Sequence, residues 1–121
     1  MDKMERIVEQ ALLYDFYGEL LTEHQKEIYG DHIQNDLSPS EIALDHGITR
    51  QAAYDMIRRC NNILKGYEDK LHLLQKFLKT KEMVSQINDC AKDILLEEQR
   101  EAVIRKLEKI EHISNAILEE Y

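Results

Sequence analysis

The 121 residues read as an all-α fold: a helix-turn-helix bundle with a long helical C-terminal extension. Three observations lead there. Apolar residues recur at helical spacing along nearly the whole chain. Serine, threonine and the single proline stand where helices begin. No alternating apolar run and no Asn-Gly or Asp-Gly pair marks a β-hairpin. With 33% charged and 43% apolar residues, the chain fits one compact domain plus an extension, long enough to bury a core.

The first helix is expected over Lys3 to Tyr17, with Ile7, Ala11 and Tyr14 along one face and Val8, Leu12 and Leu13 widening it. Tyr14, Phe16 and Tyr17 read as core, because Tyr14 lies on that stripe, and Gly18 reads as a left-handed C-terminal residue. Thr22 caps a second helix that runs to about Asn35, with Gln25 three residues on as in a capping box. Gly30 falls near its middle and predicts a bent or short helix. The stretch "LSPSE" is the sharpest start: Ser38 caps, Pro39 takes the first helical position, where its missing N–H costs nothing, and Glu41 closes the box. The third helix carries Ile42 and Ala43 and stops at Gly47. Thr49 caps the fourth, whose inward face is Ala53, Met56, Ile57 and Cys60, continuing to Ile63 and Leu64, with Gly66 as its end.

Residues 1–66 thus form the expected helix-turn-helix domain and residues 67–121 the extension. No glycine or proline follows Gly66, so nothing obliges the chain to turn. Leu71, Leu74 and Leu78 share a face beside Phe77, and Val84, Ile87, Ala91 and Ile94 follow at spacings of three, four and three. "LEEQRE" interrupts with charge before Val103, Leu107, Ile110 and Ile117 resume. So narrow a stripe on charged helices is a helix–helix seam. It predicts one or two long helices that pack back on the front domain or pair two copies as a homodimer.

A helix-turn-helix needs a small residue where its helices cross (Ala43), a turn residue tolerant of positive φ (Gly47), and an apolar anchor after it (Ile48). It also needs apolar inward positions on the second helix (Ala53, Met56) and a preceding third helix. All are in place; His46 alone departs, where such motifs are usually apolar, and a half-buried histidine can substitute there. If the fourth helix enters a major groove, Arg50, Gln51, Tyr54, Asp55 and Arg58 face the base edges, Arg suiting guanine and Gln suiting adenine. Arg59 and Lys65 then reach phosphates, and the backbone N–H groups at Ser38–Ser40 hold another.

Charge argues for restraint. The chain carries −8, of which residues 38–65 hold +1, the preceding segment −6 and the following segment −3. The motif is the least acidic part without being a basic patch, and Asp55 on the reading face repels phosphate. In the competing reading, Arg50, Arg58 and Arg59 form a solvated face knit by intrahelical salt bridges.

Those residues carry a resemblance. "LTEHQKEIYGDHIQNDLSPSEIALDHGITRQAAYDMIRR" resembles the promoter-reading region 4 of bacterial sigma-70 factors. "YDFYGELLTEHQKEI", "ITRQAAYD" and "KLHLLQKFL" are together similar to the YlxM family of small bacterial proteins expected to bind DNA, over roughly Ile7 to Leu78. The resemblance implies an all-helical fold, a nucleic-acid interface at Thr49, Arg50, Gln51 and Ala52 through Asp55, no catalytic residues, and a regulatory role in the signal recognition particle pathway. Duplex DNA is one implied partner. The particle's RNA and targeting GTPase are the alternative, and an acidic surface suits basic partners.

Other chemistry finds little footing. The opening "MDKMERIVEQ" lacks a signal peptide's apolar core, and no apolar run is long enough for a membrane span, so a cytoplasmic protein without membrane contact is expected. Five dispersed histidines, two distant cysteines and no H-E-x-x-H pattern give no metal or cofactor site. Cys60 and Cys90 fall within helical patterns and read as reduced, partly buried thiols. Glycine-rich phosphate loops and nucleophile elbows are absent, so no enzyme is expected.

Overall fold

The computed structural model describes residues 2–119; the outer limits of the two expected segments, residue 1 and residues 120–121, lie outside the described residues. The chain divides into two compact units, Met1–Leu74 and Gln75–Tyr121.

Helix α1 covers Lys3–Tyr17 and passes through a short 3-10 turn at Gly18–Leu20 into α2, Glu23–Gln34. Helix α3 is Pro39–His46 and α4 is Arg50–Leu71. The caps read from the sequence are those that form. Thr22 and Gln25 close a reciprocal box on α2, Ser38 and Glu41 close one on α3, and the Thr49 hydroxyl accepts from the Ala52 N–H at 3.0 Å. Each such cap is worth about 1 kcal/mol. A further box, Asp2 with Glu5, starts α1.

Helix α4 runs through the middle of the first unit and packs on α1, α2 and α3. Its buried stripe is Ala53, Ile57, Cys60 and Leu64, against Leu13, Tyr17, Ile28, Tyr29 and Ile42. Tyr29 donates its hydroxyl to Asn61 Oδ1, so a ring buried for its apolar body keeps its polar end satisfied. Burial pushes the Cys60 thiol up to about 11.

Four expectations change here. Gly18 is right-handed (φ −57°), not left-handed. What it provides is room, since a Cβ there would lie 3.1 Å from Tyr14 ring carbons. Gly30 does the same, 3.0 Å from the Tyr14 hydroxyl, and α2 continues past it to Gln34 rather than stopping short. Ile7 and Val8 are about half exposed, because periodicity gives the direction of an apolar face but not where its neighbour ends. Gly66 does not terminate α4. The helix carries on because tertiary contacts hold its last turn: Tyr67 stacks on Tyr17 at 6.0 Å, and the Tyr17 hydroxyl donates to Glu68 Oε1 at 2.6 Å. The same hydroxyl accepts from the Leu73 N–H, and Glu68 Oε1 from the Leu74 N–H. The actual stop is His72, in the left-handed region at φ 55°.

Helix α5, Leu73–Glu97, enters the second unit at Gln75, and α6, Glu101–Glu119, follows it there. Glu98 holds the three-residue break between them, accepting from the Arg100 side chain at 3.0 Å and from the Gln99 and Arg100 backbone N–H groups. These bonds hold its carboxyl down at about 2. Val84, Asn88 and Ala91 of α5 and Leu107 and Ser114 of α6 are buried. Asn88 donates to Asn115 Oδ1 at 2.9 Å, a polar pair that fixes the register of one helix against the other. The expected single stripe is therefore wrong in detail: Ile87, Ile94, Ile110 and Ile117 are exposed, one position off the buried lane. Cys90 is exposed too, against the expectation of a partly buried thiol.

Candidate nucleic-acid interface

The bend between α3 and α4 is made by Gly47, left-handed at φ 66°, ψ 33°. Its N–H and that of Ile48 both reach the Ala43 carbonyl, closing the open end of α3. Ile42 and Ala43 are buried where the helices cross. His46 is half-buried, its Nε2 3.1 Å from Asp31 Oδ2 of α2, so the polar residue in an apolar position ties α3 to α2 instead of being stranded.

With Ala53, Ile57 and Cys60 turned inward, Arg50, Gln51, Tyr54, Asp55, Arg58 and Arg59 are all exposed on the opposite side of α4. The periodicity of one helix accounts for both faces. Unlike α1, α2 and α3, α4 has no carboxylate in its first turn; its cap is the neutral Thr49 and its first residue Arg50. The partial positive charge of that helix end is therefore not cancelled locally.

Two expected contacts are already engaged within the chain. The Ser38 N–H donates to the Glu41 carboxylate at 3.3 Å and Pro39 has none, which leaves the Ser40 N–H as the one donor of that stretch outside the capping box. Gln51 Nε2 donates to Asp55 Oδ1 at 3.0 Å, which ties the amide suited to adenine to the acid that disfavours phosphate. The intrahelical salt bridges of the competing reading do not form: no ion pair among the described residues includes Arg50, Arg58 or Arg59.

Asp55, Arg58, Arg59, Asn62 and Ile63 line a shallow groove of about 440 Å³. Asn62 was not singled out from the sequence; its place four residues after Arg58 was the available signal. Lys65 sits two turns beyond Arg58 and shares a separate depression with Arg6, Glu9 and Gln10 of α1. No group of histidines, cysteines and carboxylates able to hold a metal ion exists among the described residues, and no helix there is long and apolar enough to cross a membrane.

A glycine-turned helix pair, braced by a third helix and presenting the outer flank of its second member, defines a helix-turn-helix protein. Comparison with known proteins agrees. The profile described as "Putative helix-turn-helix protein, YlxM / p13 like", of the UPF0122 family, matches residues 4–105, and the chain belongs to that family. It is 39% identical over 108 residues to the UPF0122 protein YlxM of Bacillus subtilis, covering 89% of this chain and 98% of that one. A UPF0122 protein of Acetivibrio thermocellus is 38% identical over 116 residues, covering 96% and 99%.

Proposed function

We propose that the chain is a DNA-binding regulator in which the first unit, Met1–Leu74, sets the start of α4 into a major groove and helices α5 and α6 pair two copies. Arg50, Gln51, Tyr54 and Arg58 then face base edges, while Arg59 and the α4 N-terminus take phosphates. The observation that carries this reading is the exposure of that whole flank above a turn fixed by Gly47, with no ion pair among the described residues occupying its arginines. Pairing matters because affinity scales with neutralised phosphates, at a salt slope of about −0.9 for each. One head offers few cations beside Asp55, and two heads double the count.

A second reading has its own support. The charge of −8 and the Gln51–Asp55 bond on the reading face favour a basic protein partner or structured RNA. On that reading the chain is an accessory of the signal recognition particle that holds its GTPase or RNA. Titration of the purified chain against random and selected duplexes, the particle's RNA and its GTPase, at two salt concentrations, separates the two. DNA reading predicts saturable, salt-dependent duplex binding that Arg50→Ala and Arg58→Ala each weaken by about 1–3 kcal/mol. Absence of duplex binding at low salt refutes it.

A further inference from the structure

Helices α5 and α6 each carry two lanes side by side, an inner mixed one and an outer apolar one. The inner lane, Val84, Asn88 and Ala91 facing Leu107 and Ser114, is buried within the hairpin. The outer lane on α5 is Met83, Ile87, Cys90 and Ile94, spaced four, three and four. On α6 it is Ile110, Ile113 and Ile117, spaced three and four. These outer residues are exposed, Ile87 by 51%, Ile94 by 47% and Ile113 by 49%. Met83, Ile87, Ile94 and Ile110 border one open groove of about 470 Å³. A two-helix hairpin consumes one lane per helix; a second lane is what helices of a four-helix bundle present to the other pair. A contiguous apolar face of this kind marks an interaction surface.

The charges flanking the lane identify what covers it. Lys76 and Lys79 stand at its N-terminal end on α5, Asp93 and Glu97 at its C-terminal end. A second copy laid antiparallel about a two-fold axis sets the basic end of each α5 against the acidic end of the other, whereas a parallel copy opposes like charges. Along α5 the face is complementary to itself. We propose that the outer lane of α5 and α6 is the surface through which two copies of this chain join, antiparallel, in a four-helix bundle. This specifies the pairing assumed in the proposed function, and it is independent of whether the front unit reads DNA.

The test uses the full chain without nucleic acid. Sedimentation equilibrium is expected to give twice the chain mass of 14.3 kDa. Ile87→Asp and Ile94→Asp, at exposed helical sites, each weaken association by about tenfold or more with helix content unchanged. Lys76→Glu with Lys79→Glu weakens it as well, and adding Asp93→Lys and Glu97→Lys restores it. Alkylation of Cys90 in the unaltered chain, which depends on no variant folding, slows as protein concentration rises. A chain that stays at 14.3 kDa overturns the proposal and leaves DNA binding to its own titration. A dimer indifferent to Ile87→Asp and Ile94→Asp places pairing on another face and overturns it equally. Failure of the fourfold charge exchange to recover the dimer refutes the antiparallel arrangement, and a Cys90 rate independent of concentration refutes burial of this lane.

Discussion

Alanine at Gly47 and alanine at Gly66 should move stability in opposite directions. Neither site brings an added Cβ within 4 Å of another group, so side-chain crowding drops out of both comparisons. What differs is the backbone. Gly47 lies at φ 66°, where an L side chain meets its own carbonyl at a cost of roughly 1–2 kcal/mol. Gly66 lies inside α4 without positive φ, where alanine gains roughly 0.5–1 kcal/mol by restricting the unfolded chain. For a unit of this size each kcal/mol moves the melting temperature by about 4–8 °C. Gly47→Ala should therefore lower Tm by about 4–16 °C, and Gly66→Ala should raise it by about 2–8 °C. Near-UV circular dichroism is the suitable probe, since Tyr14, Tyr17, Tyr29, Tyr54 and Tyr67 all belong to the first unit. Gly47→Asn should recover much of the loss, because asparagine visits the left-handed region. A Gly47→Ala protein that melts like its parent would refute the account of the turn. A Gly66→Ala protein that melts earlier would show that α4 is not continuous there.

The two thiols should differ sharply in reactivity. In dilute native protein at pH 8 a thiol reagent modifies Cys90 and spares Cys60, which is buried with its pKa pushed up to about 11; denaturant exposes both, and native modification of Cys60 contradicts the packing of α4. Tyr17→Phe removes the donor to Glu68 and the acceptor for the Leu73 N–H, and should cost about 1–3 kcal/mol. In hydrogen exchange its Leu73 amide should lose protection first, and unchanged protection would argue against the bond. Glu98 titrates at about 2, below the usual 4.5, because it accepts hydrogen bonds from Arg100. Its contribution to the α5–α6 turn is thus fully present above pH 4.5 and lost as pH falls through about 2. Carboxyl NMR titration checks the value, and Glu98→Gln should remove the acid-linked change.

Local signals were the most legible part of the chain. Thr22, Ser38 and Thr49 cap the helices they were expected to cap, and Gly47 turns where expected, because caps and positive-φ turns are settled by a few neighbouring residues. The outward flank from Arg50 to Arg59 followed from the same logic, since alternation of Ala53, Ile57 and Cys60 with charged residues is a property of one helix. The engagement of Ser38 by Glu41 is legible in the capping box itself, which uses the same N–H that a phosphate would need.

The sequence by itself determined which segments are helical, where most begin, and which face of α4 turns inward, for these rest on spacing and caps within about one turn. Only the tertiary structure decided that α4 outlasts Gly66, that Gly30 makes room for the Tyr14 hydroxyl, and that Ile87 and Ile94 lie outside the hairpin seam. Each of those outcomes depends on a partner distant in sequence: Tyr17 against Glu68, Tyr14 against Gly30, Asn88 against Asn115. Periodicity shows that an apolar stripe exists; its neighbours determine which residues of the stripe are covered and how far the helix runs.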